Sequence, residues 1–167
     1  MKQVKKIGLT ALATMSLLGA SLLVVPQSAS ATTNGIDTTV VDEKWGKPTF
    51  IYGGGLSESQ ITETEDLLGI KNPENVAVGS VSGQDLINYL GDGSGNTSSM
   101  ISSVLVQKQD AGEGVDVEIV TPKNISQITQ DQYANAAITA GVNDVKIVVA
   151  SVSKVTGESA LSGIYKA

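Results

Sequence analysis

Cysteine, histidine and arginine are all missing from this chain of 167 residues, and its 11 basic residues are therefore all lysine. Without cysteine there is no thiol nucleophile, no disulfide and no thiolate metal site. Without histidine there is no Ser-His-Asp triad, no imidazole base and none of the usual zinc ligands. Without arginine there is no bidentate fork for phosphate or carboxylate. Any chemistry is left to Asp, Glu, Lys, Ser, Thr and Tyr. Aromatic residues are also scarce: Trp45, Phe50, Tyr52, Tyr89, Tyr133 and Tyr165 are too few for a sugar-stacking platform.

Only one long apolar run is present. Lys2, Lys5 and Lys6 precede the stretch Ile7 to Val25, Pro26 ends it, and Ala29-Ser30-Ala31 offers a small-x-small cleavage site. Residues 1–31 thus read as a secretory signal. The run has 19 residues, barely enough to span a bilayer, and polar or small residues from Gly8 to Ser21 interrupt it, so cleavage is favoured while an uncleaved anchor stays open. Cleavage would leave eight lysines against 17 acids, a net charge of −9. That balance disfavours nucleic acid and anionic lipid as partners, and no second apolar span calls for a membrane. An exported domain without cysteine suits a Gram-positive-type bacterium, on the cell surface or in the medium.

The remaining chain divides into a polar leader, 32–47, and a single domain, 48–167. The leader holds Trp45, expected to dock it onto the domain. Thr49 to Tyr52 reads as a strand. Ser57 with Gln60 is a capping box, Leu56 with Ile61 its hydrophobic staple, and Gly69 the stop. Asn75 to Ser82 is the next strand. The same grammar returns later: Thr129 and Gln132 cap, Ile128 and Tyr133 staple, Tyr133, Ala136, Ala137 and Ala140 form the apolar stripe, and Gly141 stops. Val145 to Val152 then reads as a strand covered on both faces. Both stretches predict β-α-β units, and their matching spacings suggest a duplication with the same right-handed crossover.

Between the units, Gln84 to Leu90 predicts a short helix and Gly91 to Asn96 a flexible loop. Ser98 to Gln109 and Val115 to Thr121 flank Ala111-Gly112-Glu113-Gly114, which reads as a β-hairpin with Asp116 and Glu118 on a wet face. Gly157 to Ala167 predicts a final helix of barely three turns, cut short if the chain is truncated. The expected fold is α/β (mixed α+β): two β-α-β units joined by a β-hairpin into a mixed sheet with helices packed on it.

Four features invite a chemical reading. Gly53-Gly54-Gly55 lies between strand and helix, where free amides can bind anions, but no phosphate-loop pattern is complete. Gly91 to Asn96 has one carboxylate, Asp92, too few for a calcium loop. Ser151 and Lys154 have the Ser-x-x-Lys spacing but follow a strand and lack partner motifs. Asp110, Glu113, Asp116 and Glu118 cluster along the expected hairpin and are the candidate surface-binding residues; an exposed tip and a charged edge that resists aggregation explain them more simply. No catalytic, metal or cofactor site is assigned, and no cofactor is expected.

Four separated blocks, Gly54 to Gln60, Ser98 to Val104, Thr121 to Val142 and Val155 to Ala167, resemble YpuA-like secreted proteins of Gram-positive bacteria, in the expected order. That family is catalogued as a domain of unknown function. The resemblance implies export and a mixed α/β domain, supplies no catalytic residues, and implies a helix-rich C-terminal part that this chain lacks. The leading expectation is a non-enzymatic domain that binds a cell-envelope component or an extracellular protein. A hydrolase using carboxylates or Ser151 and Lys154 is the rival, and an incomplete fragment of a larger secreted protein the third reading. The ligand and the oligomeric state stay open.

Overall fold

The computed structural model describes residues 35–167. The signal reading of residues 1–31 and the first leader residues lie outside the described residues. Among the described residues no helix is long and apolar enough to cross a membrane. The chain runs β1 (Thr49–Gly53), α1 (Glu58–Leu67), β2 (Ala77–Val81), α2 (Gly83–Leu90), β3 (Ser103–Lys108), β4 (Val115–Ile119), α3 (Gln130–Thr139), β5 (Val145–Ala150) and α4 (Glu158–Lys166), with short 3-10 turns at Pro73–Asn75 and Thr97–Ser99. The strands form one mixed sheet in the order β2-β1-β3-β5-β4, as the α/β reading expects. Only β3 runs against its neighbours.

The local signals act as written. The Ser57–Gln60 and Thr129–Gln132 capping boxes both close. A third, Ser82 with Asp85, starts α2. β5 lies in the sheet interior and all of its residues but Lys146 are buried, which is why it lacks polar alternation. In α3 the stripe is Tyr133, Ala136 and Ala137; Ala140 is exposed, because the helix has already ended there.

Two tertiary expectations fail. Ser98–Gln109 and Val115–Thr121 do not form a hairpin, because β5 inserts between β3 and β4. Alternation is identical for two strands that pair and for two that flank a third. The connection 109–114 arches over the start of β5 and is tied to it: Asp144 Oδ1 accepts from the amides of Gly112 and Gly114 at 2.8 and 3.0 Å. The duplication also fails. Both crossovers step the same way between parallel strands, yet α1 packs with Phe50, Leu105 and Val148 on one face, and α3 with Ile51, Val104 and Ile147 on the other. The units therefore have opposite hands and cannot superpose, so one crossover departs from the right-handed rule.

The larger core joins α2, α3 and α4 to one sheet face. α4 lies at its centre, with Ala160 and Ile164 buried and Gly163 set against Val104 and Ile51. The smaller core, on the opposite face, is closed by α1 and by Ile36 of the leader. α2 is tied to α4 by stacked rings, Tyr89 and Tyr165, at 5.7 Å, and by Lys166 Nζ to Asp85 Oδ2 at 2.9 Å. Burial pushes the Asp85 carboxyl up, but hydrogen bonds from Lys166 and from Ser82 outweigh it and hold the group below its ordinary value. Its stabilising contribution is therefore complete above about pH 4 and is lost as the pH falls through the lowered value. Asp85→Asn is expected to cost about 1 kcal/mol near neutrality and to flatten the acid limb of the stability curve. Urea midpoints measured from neutral pH downward check this; an unchanged acid limb would contradict it.

Candidate functional site

The four candidate carboxylates do not make one site. Asp110 and Glu113 sit in the 109–114 connection, and Asp116 and Glu118 on the edge strand β4. Asp116 contacts Lys146 Nζ at 2.5 Å and Glu118 lies 4.0 Å from the same ammonium. β4 and β5 put these groups side by side, since Asp116 pairs with Lys146 in the ladder. Both carboxylates are well exposed, so each pair contributes at most about 1 kcal/mol. Glu113 is exposed at the loop tip. Asp110 faces elsewhere: it accepts from Lys44 Nζ at 2.6 Å and from Trp45 Nε1 at 3.2 Å, and the Lys44 hydrogen bond holds its carboxyl below the ordinary range.

The other motifs serve the fold. The Ser151 hydroxyl is buried and donates to the Ser153 carbonyl at 2.7 Å, while Lys154 is exposed. The amides of Gly54 and Gly55 are already bonded, to the carbonyls of Val81 and Met100, and are not free for an anion. In the 91–96 loop, Asp92 accepts from the adjacent Gly93 amide and Asn96 caps the following 3-10 turn.

What Asp110 positions is more informative. The leader makes a tight turn in which Asp42 Oδ1 accepts from the amides of Lys44 and Trp45 at 2.7 and 2.8 Å, and the Asp42 carbonyl accepts from Gly46. Lys44 Nζ lies 4.6 Å from the centre of the Trp45 ring. The indole is thus held by its own turn and by the β3–β4 connection. It stands over a groove of about 300 Å³ on the larger core face. Val106 of β3 and Val145 and Ile147 of β5 are apolar residues of its lining, with Ala137 and Val142 from the end of α3 and Ile164 from α4 on its sides. At this place α3 presents the small side chain of Ala137 and ends at Thr139, leaving the ends of β3 and β5 incompletely covered. Its rim carries Lys47 and Lys108. Lys47 Nζ reaches the Glu74 carbonyl at 2.6 Å, and Lys108 is exposed. Three of the eight lysines after residue 31, Lys44, Lys47 and Lys108, are thus near the indole in an otherwise acidic chain.

No Asp, Glu or Ser side chain lines the groove; its polar side chains are Lys47, Thr49, Gln107 and Lys108. An apolar floor, one indole and a cationic rim suit an apolar group joined to an anionic one.

Residues 52–167 match the family described as "Protein of unknown function (DUF1002)". The chain belongs to this family. It is also similar to "Uncharacterized protein YpuA" of Bacillus subtilis (strain 168), 34% identical over 132 residues, which is 77% of this chain and 44% of that protein. The chain therefore spans less than half the length of this curated relative. No solved structure matches it.

The DUF1002 segment supplies the strands and helices that build the groove, whereas Trp45, Lys47 and Thr49 precede it. Within the DUF1002 fold, Val106, Val145 and Ile147 read in sequence as ordinary core residues. Their lining of a groove depends on how α3 and α4 pack over β3 and β5, which no local pattern reports. The one available signal was Trp45, the only tryptophan in the chain.

Proposed function

We propose that this DUF1002 protein is an exported, non-enzymatic binding domain that holds a component of a Gram-positive-type cell envelope, or an extracellular protein, in the groove beneath Trp45. The observation that carries the reading is the groove itself: an apolar floor under a fixed indole with lysines at the rim. The signal-like residues 1–31 support export, and the acidic remainder of the chain leaves this rim as the place where an anionic group is drawn in. The ligand is an apolar moiety carrying a carboxylate or phosphate, reached from solvent at the strand ends.

The test is co-sedimentation of the purified protein with isolated Gram-positive cell walls, at low and moderate salt. Retention that weakens with salt is expected. Trp45→Ala should reduce it about tenfold or more while leaving the fold intact, because the indole is an aromatic anchor of the sort that dominates binding energy. Equal retention of the variant would remove the groove from the reading. No retention of a folded wild-type protein would shift the ligand to a soluble partner.

A further inference from the structure

The two edges of the sheet are finished differently. In β4, the ladder to β5 uses the backbone of Asp116, Glu118 and Val120 and turns that of Val115, Val117 and Ile119 outward. That edge is guarded: Gln130 Nε2 donates to the Val117 carbonyl at 2.8 Å, and Asp116 and Glu118 place charge along the strand. Such capping and charge stop further strand pairing. At the opposite edge, Ala77 donates to the Pro48 carbonyl and the Val81 carbonyl accepts from Gly54. With the in-register parallel pairing to β1, Ala77, Gly79 and Val81 bond inward, and Val78 and Ser80 point their N–H and C=O groups outward. Among the described residues no side chain or backbone group bonds to them. From Asn75 to Gln84 there is no charged side chain and no proline, and Val78 is 56% exposed.

We propose that the β2 edge is a self-association surface, at which two copies of this chain pair β2 with β2 antiparallel about a two-fold axis through Gly79, joining their sheets into one of ten strands. The pattern is self-complementary. With Gly79 opposite Gly79, Val78 of each copy faces Ser80 of the other as a hydrogen-bonded pair, so all four outward N–H groups and all four carbonyls are matched. Gly79 occupies the close, non-hydrogen-bonded position, where Cα atoms approach to about 4.5 Å. Having no side chain, it adds none to that contact, and Ile51 Cδ1 already fills the space a Cβ would take. Charge favours the same geometry: copies of a chain with net charge −6 repel broadly, and this uncharged strip is where they meet with least cost. The surface lies on the opposite side of β1 from β3 and β5, so it is independent of the Trp45 groove reading.

The chain has no cysteine, so one introduced thiol reports the axis cleanly. In the full chain, Gly79→Cys places two thiols at a spacing within disulfide range. Only the flexible end of Ile51 must give way. A disulfide-linked dimer should form about tenfold faster than from Ser94→Cys, an exposed control in the 91–96 loop, because pairing raises the local thiol concentration. Sedimentation velocity on the unmodified chain should show a concentration-dependent dimer. Val78→Lys should raise its dissociation constant about tenfold or more by charging the strip twice per dimer. A chain that stays monomeric at high concentration, cross-linking no faster than the control, or a dimer indifferent to Val78→Lys would each overturn the proposal. A monomer that instead takes up an extended peptide at this edge would overturn it too. If Gly79→Cys fails to fold, the Val78→Lys comparison decides alone.

Discussion

Tyr133→Ala is expected to destabilise the protein by about 3–5 kcal/mol, the range for removing a fully buried aromatic side chain. Tyr133 has no exposed surface, and lies in the core that joins α3 and α4 to the sheet. Its hydroxyl donates to the Gly157 carbonyl at 3.0 Å, so the first turn of α3 is fastened to the start of α4. Truncation removes both the packed ring and this tie. Domains of this kind hold only about 5–15 kcal/mol in total, so the variant should be close to unfolded in mild urea. Tyr133→Phe separates the two contributions: it keeps the ring and loses the hydrogen bond, at a cost of about 1 kcal/mol. Urea midpoints of the three proteins measure both. Equal midpoints for wild type and Tyr133→Ala would mean that the α3–α4 junction is not part of the cooperative unit.

Gly53→Ala is the second large effect, and its cause is the reverse, too much volume. A Cβ at Gly53 would lie 2.3 Å from the Met100 carbonyl oxygen and 2.7 Å from the Ile101 nitrogen. These are backbone atoms of the segment entering β3 and cannot swing aside. The neighbouring Gly55 is as tightly set, against the Ser98 carbonyl. The cost should reach about 3 kcal/mol or more, since overpacking that moves backbone exceeds the usual range for a methyl group. In thermal unfolding that corresponds to a fall of roughly 10 °C. A fall of no more than about 2 °C would show that β1 and the 98–102 segment separate easily. The glycine run is therefore neither an anion site nor only a turn: it lets two backbones touch.

Much of the secondary structure was legible because its signals are local. Ser57 with Gln60 and Thr129 with Gln132 satisfy helix amides within three residues, and such pairs act wherever the helix is placed. The buried run at 145–150 marked a central strand for a physical reason, cover on both faces. What failed was long-range. Val115, Val117 and Ile119 alternate whether their neighbour is β3 or β5, and only the tie from Asp144 to Gly112 and Gly114 reveals that β5 starts beneath the loop. The hand of each crossover was equally invisible, since the stripes of α1 and α3 say that a face is buried but not which side of the sheet buries it. The site shared this limit. Asp110 and Glu113 stood out by charge alone, yet the use of Asp110 is to hold Trp45, 65 residues earlier in the chain.

Trp45 is also the only tryptophan, so its fluorescence reports the groove with no background from another indole. The most direct measurement is a titration of the full protein with solubilised cell-wall fractions while its emission is followed, alongside the Lys108→Glu variant. Binding beneath Trp45 predicts a saturable shift in emission that weakens with added salt and is reduced about tenfold or more when the rim lysine is reversed in charge. An emission spectrum unmoved by fractions that the protein demonstrably retains would contradict the account, because the ligand would then be held away from the indole.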